Sequence, residues 1–135
     1  MKAYIAVSYS QRTEMKDTIT AIKETLIEAG ISPFIFVDKY SFDPAQEKQM
    51  MEQAMKDISS SDIFIAETSH KAIGIGVEAG YAKAMGKPVI YIRQAEAAHS
   101  TTVCGISDFQ VIHHDAADLK TQLAEVVHKI KVNGE

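Results

Sequence analysis

Short apolar runs alternate along the chain with segments whose apolar residues recur every three to four positions. The apolar runs are AYIAV (3–7), PFIFV (33–37), IFIAE (63–67), PVIYI (88–92) and FQVIH (109–113). Each run is apolar on both faces and is separated from the next, so the pattern predicts a parallel sheet covered on both sides. With right-handed crossovers, the expected fold class is α/β: a doubly wound five-stranded parallel sheet, flavodoxin-like or Rossmann-like, with helices on both faces.

Helical segments are predicted in most of the intervals between these runs. The first ends at Gly30, where a glycine stop is expected. Asp43-Pro44, an N-cap followed by a first-turn proline, predicts the start of the second helix. A third helix is predicted from about Gly76 to Met85, an irregular connection over 93–108, and a last helix over 116–131. The predicted inward-facing residues are Met15, Ile19, Ile22, Leu26 and Ala29, then Met51, Ala54, Met55 and Ile58, then Leu119, Leu123, Val126, Val127 and Ile130.

The composition limits the class of protein. The 135 residues, 46% hydrophobic and 24% charged, fit one globular domain (1–135) with a single core. The single cysteine, Cys104, excludes a disulfide framework. No apolar run reaches membrane-spanning length and MKAYIAVSYS does not resemble a signal peptide, so a cytoplasmic protein is expected. A net charge of -4 without a basic cluster argues against a nucleic-acid partner but is compatible with a small anionic ligand.

Polar residues follow the predicted first strand, and ligands of doubly wound sheets bind beyond the carboxyl ends of the strands. Ser8, Tyr9 and Arg12 open the first helix, where hydroxyls, backbone N–H groups and a guanidinium suit a phosphate or carboxylate. The structural alternative is a capping serine beside a solvated arginine. Tyr4 lies within the strand, where a phenol needs a buried partner, and a carboxylate in the same cleft would satisfy it.

The segment GIGVEAG (74–80) follows the third strand. Gly74 and Gly76 are predicted to form a turn that lets the next helix pack close to the sheet. Their spacing to Gly80 is one residue too long for G-x-G-x-x-G, and no G-K-[ST] follows, so no nucleotide cofactor is predicted. Glu78 is predicted in the first helical turn. There it either complements the helix dipole or points into the ligand crevice as a nucleophile or general base.

No metal site is predicted either. His113 and His114 are adjacent on a strand, point to opposite faces and so cannot chelate one ion together. His70 and His99 are isolated loop histidines, and Cys104 is interpreted as a small apolar residue.

Four segments together resemble the nucleoside 2-deoxyribosyltransferase superfamily, which includes small nucleotide N-hydrolases: AYIAVSYS, SSSDIFIAE, GIGVEAGYAKAMGKPVIYI and FQV. The most specific part is G-x-G-x-E-x-G-x-A followed by G-K-P and an apolar strand, and the resemblance covers nearly the whole chain. It implies cleavage of the N-glycosidic bond of a nucleoside or nucleoside 5'-monophosphate, by hydrolysis or by transfer of the deoxyribosyl group. It also implies a homodimer or larger homo-oligomer with shared sites.

The resemblance implies roles for individual residues. Glu78 matches the family's nucleophile, which attacks the anomeric carbon and forms a glycosyl-enzyme ester, as in retaining glycosidases. Tyr4 matches the tyrosine that bonds and orients this nucleophile. Val7 and Ser8 match small residues that approach the sugar or its phosphate. Ser100 matches a late-loop serine that reaches the phosphate of the neighbouring subunit's substrate.

One departure from the family pattern lies six residues before Glu78. The transferases carry an aspartate there and the phosphate-reading hydrolases a serine, whereas this chain has Ala72, with Ser69 and Lys71 close by. The missing aspartate favours hydrolysis over transfer. Lys71 would then help Ser8, Arg12 and Ser100 to hold a phosphate. All four residues follow predicted strands.

A second departure is Ala54, which stands where the family usually has an aspartate that assists at the base. At 3.6 residues per turn, neither Glu52 nor Asp57 is predicted to lie on the side of residue 54. These departures favour an alternative, a catalytically weakened nucleotide-binding module of the same fold. A further alternative is a TIR-like domain that cleaves NAD, because AYIAVSYS resembles the first strand of that group.

Overall fold

The structure is a computed structural model and describes residues 1–8 and 13–134. Tyr9 and Arg12 therefore lie outside the described residues. Five strands form one sheet: β1 Lys2–Ala6, β2 Ser32–Ile35, β3 Ile63–Glu67, β4 Val89–Gln94 and β5 Phe109–His113. All neighbouring strands pair in parallel, in the order β2-β1-β3-β4-β5. The predicted doubly wound five-stranded parallel sheet is confirmed, with the flavodoxin-like strand order.

The helices of the described residues are α1 Lys16–Glu28, α2 Phe36–Lys39, α3 Glu47–Ser59, α4 Ile73–Ala84, α5 Thr101–Ile106 and α6 Ala116–Asn133. A 3-10 turn at Pro44–Gln46 precedes α3, and Asp43 and Gln46 form a capping box at its start. The Asp43 backbone N–H donates to the Gln46 side-chain oxygen at 2.9 Å. The sequence signal at Asp43-Pro44 thus marks the entry into the second major helix, as predicted.

The sheet separates two apolar layers. Side chains such as Ile5, Ile65 and Ile92 face α1 and α6, whose predicted inward residues are buried apart from the partly buried Ala29. On the opposite face, Tyr4 and Phe64 pack with buried residues of α3, α4 and α5. Helices therefore cover both faces of the sheet, as predicted from the doubly apolar strands.

Two predicted segments differ from the structure. The run 33–37 leaves the sheet after Ile35, and Phe36 begins α2, where its carbonyl accepts from the Tyr40 N–H at 3.2 Å. Short apolar runs do not distinguish a strand from a helical turn by periodicity. The predicted irregular connection 93–108 contains α5, capped by Ser100, whose side chain accepts from the Val103 N–H. Six residues are too few to show a helical period.

No helix in residues 1–8 and 13–134 is long and apolar enough to cross a membrane.

Candidate functional site

The strand order reverses direction between the central strand, β3, and its neighbour β1. The connection after β1 leads to β2 on one side, and the connection after β3 leads to β4 on the other. The crevice beyond their carboxyl ends is the usual ligand site of such sheets. Ser8, buried after β1, and residues 68–72, after β3, lie at this edge.

Tyr4 and Glu78 meet on the α4 side of the sheet, although 74 residues separate them. Tyr4 is 1% exposed, and its ring stacks on Phe64 with centroids 5.5 Å apart. Its hydroxyl donates a hydrogen bond to Oε2 of Glu78. This is the buried carboxylate partner that a phenol inside β1 requires.

The electrostatics of this pair suit a carboxylate held ready for reaction. Burial raises the pKa of the half-buried Glu78, and the hydrogen bond from Tyr4 lowers it in part. Burial, followed by the charge of Glu78, raises the pKa of Tyr4, which therefore stays protonated and remains a donor. The phenol holds Oε2 of Glu78, so Oε1 can approach a ligand.

The start of α4 differs from the prediction. The helix begins at Ile73, so Gly74 and Gly76 lie inside its first turns and do not form a turn before it. Positive φ among the described glycines occurs only at Gly30 and Gly86. A Cβ at Gly74 would meet nothing within 4 Å, so this glycine does not serve close helix–sheet packing. Gly74 instead leaves open space at the start of the helix, whereas a Cβ at Gly76 would meet Cγ2 of Val103 at 4.0 Å.

Glu78 is the sixth residue of α4, in its second turn, and not in the first turn as predicted. The favourable effect of the helix dipole falls off within the first turn. The alternative of a surface acid that complements the dipole is therefore weakened. The partial burial of Glu78 and its bond to Tyr4 place it inside the fold.

A cavity of about 390 Å³ lies on the other flank of α4, between its start and α5. Lys71, Gly76 and Ser100 line it, together with His70 and His99. At 100° per residue, Gly76 and Glu78 lie about 160° apart around the helix axis, and neither Tyr4 nor Glu78 lines the cavity. Within one chain, the structure thus brings Lys71, Gly76 and Ser100 together but separates them from Tyr4 and Glu78.

The remaining predicted binding residue, Ser69, ties two strand ends together. Its backbone N–H and hydroxyl donate to the carboxylate of Glu67, at 2.7 and 3.0 Å. Its hydroxyl oxygen accepts from the Gln94 backbone N–H at 2.9 Å. Glu67 is 1% exposed, and burial raises its pKa to about 7. The bonds that Ser69 makes here are structural, and they hold the edge of the crevice in place.

Sequence reasoning missed Asp57 on α3. Ala54, Asp57 and Ile58 share the buried face of that helix. The prediction that Asp57 lies on another side than Ala54 is wrong, because three residues along a helix amount to about 60° of separation. The negative charge of Asp57 contributes to the raised pKa of Tyr4 and of Tyr40. The spacing of three residues was the available signal.

An aromatic cluster extends from Tyr4 toward the surface. Phe36 lies 6.4 Å from Tyr4 and 4.9 Å from Tyr40, measured between ring centroids. Phe42 stacks on Phe36 at 6.0 Å. Phe36, Tyr40 and Phe42 are half-buried, so they offer partly open ring surface beside the Tyr4–Glu78 pair.

A metal centre has no support in the described part of the chain, where no group of three or more His, Cys, Asp or Glu side chains is placed to hold an ion. The available chemistry is that of a buried carboxylate, its phenol donor and an aromatic surface.

The switch-point crevice and its tyrosine–carboxylate pair define an α/β protein with a carboxylate-centred ligand site. The chain belongs to the nucleoside 2-deoxyribosyltransferase family, whose model matches residues 3–129. Proteins of this family cleave N-glycosidic bonds or transfer deoxyribosyl groups. No curated protein sequence matches the chain.

Three solved structures share the fold. The CMP N-glycosidase BcmB of Clostridium botulinum superposes with a TM-score of 0.65 at 22% identity, covering 91% of this chain and 98% of its own. A 2-deoxyribosyltransferase of Bacillus psychrosaccharolyticus gives 0.68 at 16% identity, covering 89% and 90%. The corresponding enzyme of Leishmania mexicana gives 0.60 at 16% identity, covering 94% and 97%.

Proposed function

We propose that this protein hydrolyses the N-glycosidic bond of a nucleoside or nucleoside 5'-monophosphate, with Glu78 as the nucleophile. The observation that carries the proposal is the hydrogen bond from the buried Tyr4 hydroxyl to the Glu78 carboxylate, on the helix that follows the switch point. Membership of the family supports the reaction class. The relative named as a CMP N-glycosidase supports hydrolysis of a nucleotide as one form of that reaction.

The proposed reaction has two displacements at the anomeric carbon. In the first, an oxygen of Glu78 bonds to that carbon and the carbon–nitrogen bond breaks. The electron pair leaves with the base, which takes up a proton from solvent. In the second, a water oxygen attacks the same carbon, the ester electron pair returns to Glu78 and the water proton passes to solvent. In transfer, the nitrogen of a second base would replace the water.

Tyr4 is the positioning residue of this scheme. Its hydroxyl fixes one oxygen of Glu78, so the carboxylate keeps a single orientation through both displacements. The bond also counteracts the effect of burial on the pKa of Glu78, which keeps more of the nucleophile ionised near neutral pH.

The cavity beside α5 is proposed to hold the 5'-phosphate. Lys71 supplies a positive charge, and Ser100, Thr101 and Thr102 supply hydroxyls. The start of α4 carries no side-chain cap on its N–H groups, which suits an anion. Because this cavity and Glu78 lie on opposite flanks of α4, we propose that each site combines Glu78 of one subunit with Ser100 of a second copy.

Base release tests the proposal. The protein is incubated with a panel of nucleosides and their 5'-monophosphates, and the free base is measured by chromatography. Glu78→Gln keeps the size of the side chain but removes the nucleophile and is expected to abolish release. An intermediate trapped by rapid acid quench is expected to carry the sugar on the peptide containing residue 78. Release by Glu78→Gln at the parent rate would exclude the assignment.

A nucleotide-binding module without turnover is the second candidate. Ala72 and Ala54 favour it, since both lack the polar groups that family members use and Ala54 is 1% exposed. Thermal shift with the same panel separates the two candidates, because a ligand that binds only the folded state raises the midpoint of unfolding. Stabilisation without base release supports binding alone. Cleavage of NAD in place of these substrates would favour the TIR-like alternative.

A further inference from the structure

Asp57 is a buried carboxylate that the two displacements at the sugar do not use. It is 9% exposed and projects from α3 on the face that packs against the sheet. Both of its oxygens accept from the Gln53 side-chain amide at 3.3 Å, and the same amide nitrogen donates to the Tyr40 hydroxyl at 3.1 Å. Asp57, Gln53 and Tyr40 thus form one polar group, here called the Asp57 cluster.

The Asp57 cluster has fewer donors than its acceptors need. One Gln53 nitrogen serves the Tyr40 hydroxyl at 3.1 Å and both Asp57 oxygens at 3.3 Å. An amide nitrogen carries two hydrogens, while a carboxylate offers about four lone-pair sites. Even with the Tyr40 hydroxyl as a further donor, at least one acceptor site of a buried carboxylate stays open. Such a group is stabilised when a ligand donates to it.

The Asp57 cluster stands beside the proposed reaction centre. The Tyr4 hydroxyl donates to Glu78, and the Tyr4 ring lies 6.4 Å from that of Phe36, measured between centroids. The Tyr40 ring belongs both to the cluster and to the aromatic surface with Phe36, at 4.9 Å between centroids. Aromatic side chains stack on the flat faces of nucleobases. A planar base against this surface would present its edge to Asp57.

We propose that Asp57 accepts a hydrogen bond from an amino group on the leaving base, so that cytosine and adenine are preferred over their keto counterparts, uracil and hypoxanthine. This inference rests on the proposed function. A carboxylate has acceptors only, so an amino group satisfies it, while a keto oxygen at the same place sets two acceptors against each other. Asp57 would therefore act as a specificity-determining residue.

The experiment compares matched nucleotides that differ at one position: the 5'-monophosphates of deoxycytidine and deoxyuridine, and those of deoxyadenosine and deoxyinosine. The expected ratio of kcat/KM, amino over keto, is at least ~10 in both pairs for the parent protein. Asp57→Asn is expected to bring both ratios close to ~1, since an asparagine amide can offer either a donor or an acceptor. Glu52→Gln, an exposed change on the same helix, is the matched control and is expected to keep the parent ratios.

The ratio separates recognition from a structural role, because loss of packing lowers both rates together. Equal cleavage of both members of each pair by the parent, or parent ratios retained in a folded Asp57→Asn, would overturn the inference. If the parent releases no base at all, the proposed function fails instead. Thermal shift with the same four nucleotides then decides the inference: stronger stabilisation by the amino members supports it, and equal stabilisation overturns it. The parent ratios decide it as well if Asp57→Asn does not fold.

Discussion

Glu67→Gln is expected to remove much of the pH dependence of stability between pH 5 and pH 8. Glu67 ends β3, is 1% exposed and accepts two hydrogen bonds from Ser69. A glutamine can keep this geometry. Its oxygen accepts from the Ser69 N–H, and its amide donates to the Ser69 hydroxyl oxygen, which has a second lone pair beside the bond from Gln94.

The magnitude follows from the pKa of Glu67. Burial raises it from the ordinary 4.5 to about 7. The folded protein therefore holds this proton more tightly than the unfolded chain does. The contribution to the unfolding free energy is fully present below pH 4.5 and is lost as the pH rises through about 7. At about 1.4 kcal/mol per pKa unit, the loss is about 3 kcal/mol.

Urea unfolding followed by circular dichroism at intervals from pH 5 to pH 8 measures this loss. Across this range the parent is expected to lose about 2.5 kcal/mol more than Glu67→Gln, because the rest of the loss occurs below pH 5. Glu125→Gln, an exposed change on α6, is the control and is expected to follow the parent. Parallel curves for the parent and Glu67→Gln would refute the reasoning that Glu67 is buried as a carboxyl group that resists ionisation.

Three further predictions follow from the contacts described. Tyr4→Phe removes the donor to Glu78, so kcat/KM for base release is expected to fall ~10- to 100-fold. The hydrogen bond from Tyr4 lowers the pKa of Glu78, so its loss should move the acidic limb of the pH profile to higher pH. A limb that does not move would contradict the pairing. Glu78→Ala and Ser100→Ala are each expected to be nearly inactive on a nucleotide. If two copies share each site, an equal mixture of the two variants should recover about a quarter of parent activity, because half of the dimers are mixed and each has one intact site. Finally, burial lowers the pKa of His113, whose ring nitrogens lack partners, so His113→Leu should lose less thermal stability than the parent between pH 7 and pH 5.

The apolar pattern predicted the sheet because a strand that is buried on both faces consists of a nearly continuous run of apolar residues. IFIAE and FQVIH coincide with β3 and β5, and the five predicted inward residues of α6 are all buried. These features depend on which residues avoid water, a property that each short segment carries by itself. The motif around Glu78 and the phenol of Tyr4 likewise indicated their pairing before the fold was known, since a phenol inside an apolar strand requires a partner.

The tertiary structure alone decided how the helices turn these residues relative to one another. Because α4 starts at Ile73, Glu78 lies in the second turn, where the helix dipole has little effect on its charge. The same helix start also sets Lys71 and Ser100 on the opposite flank from Glu78. Asp57 is buried on α3, and its charge contributes to the raised pKa of Tyr4 on β1, although the two elements are far apart in sequence. Such contacts depend on where a helix starts and how it is rotated, and a shift of two residues moves a side chain to roughly the opposite side of the helix.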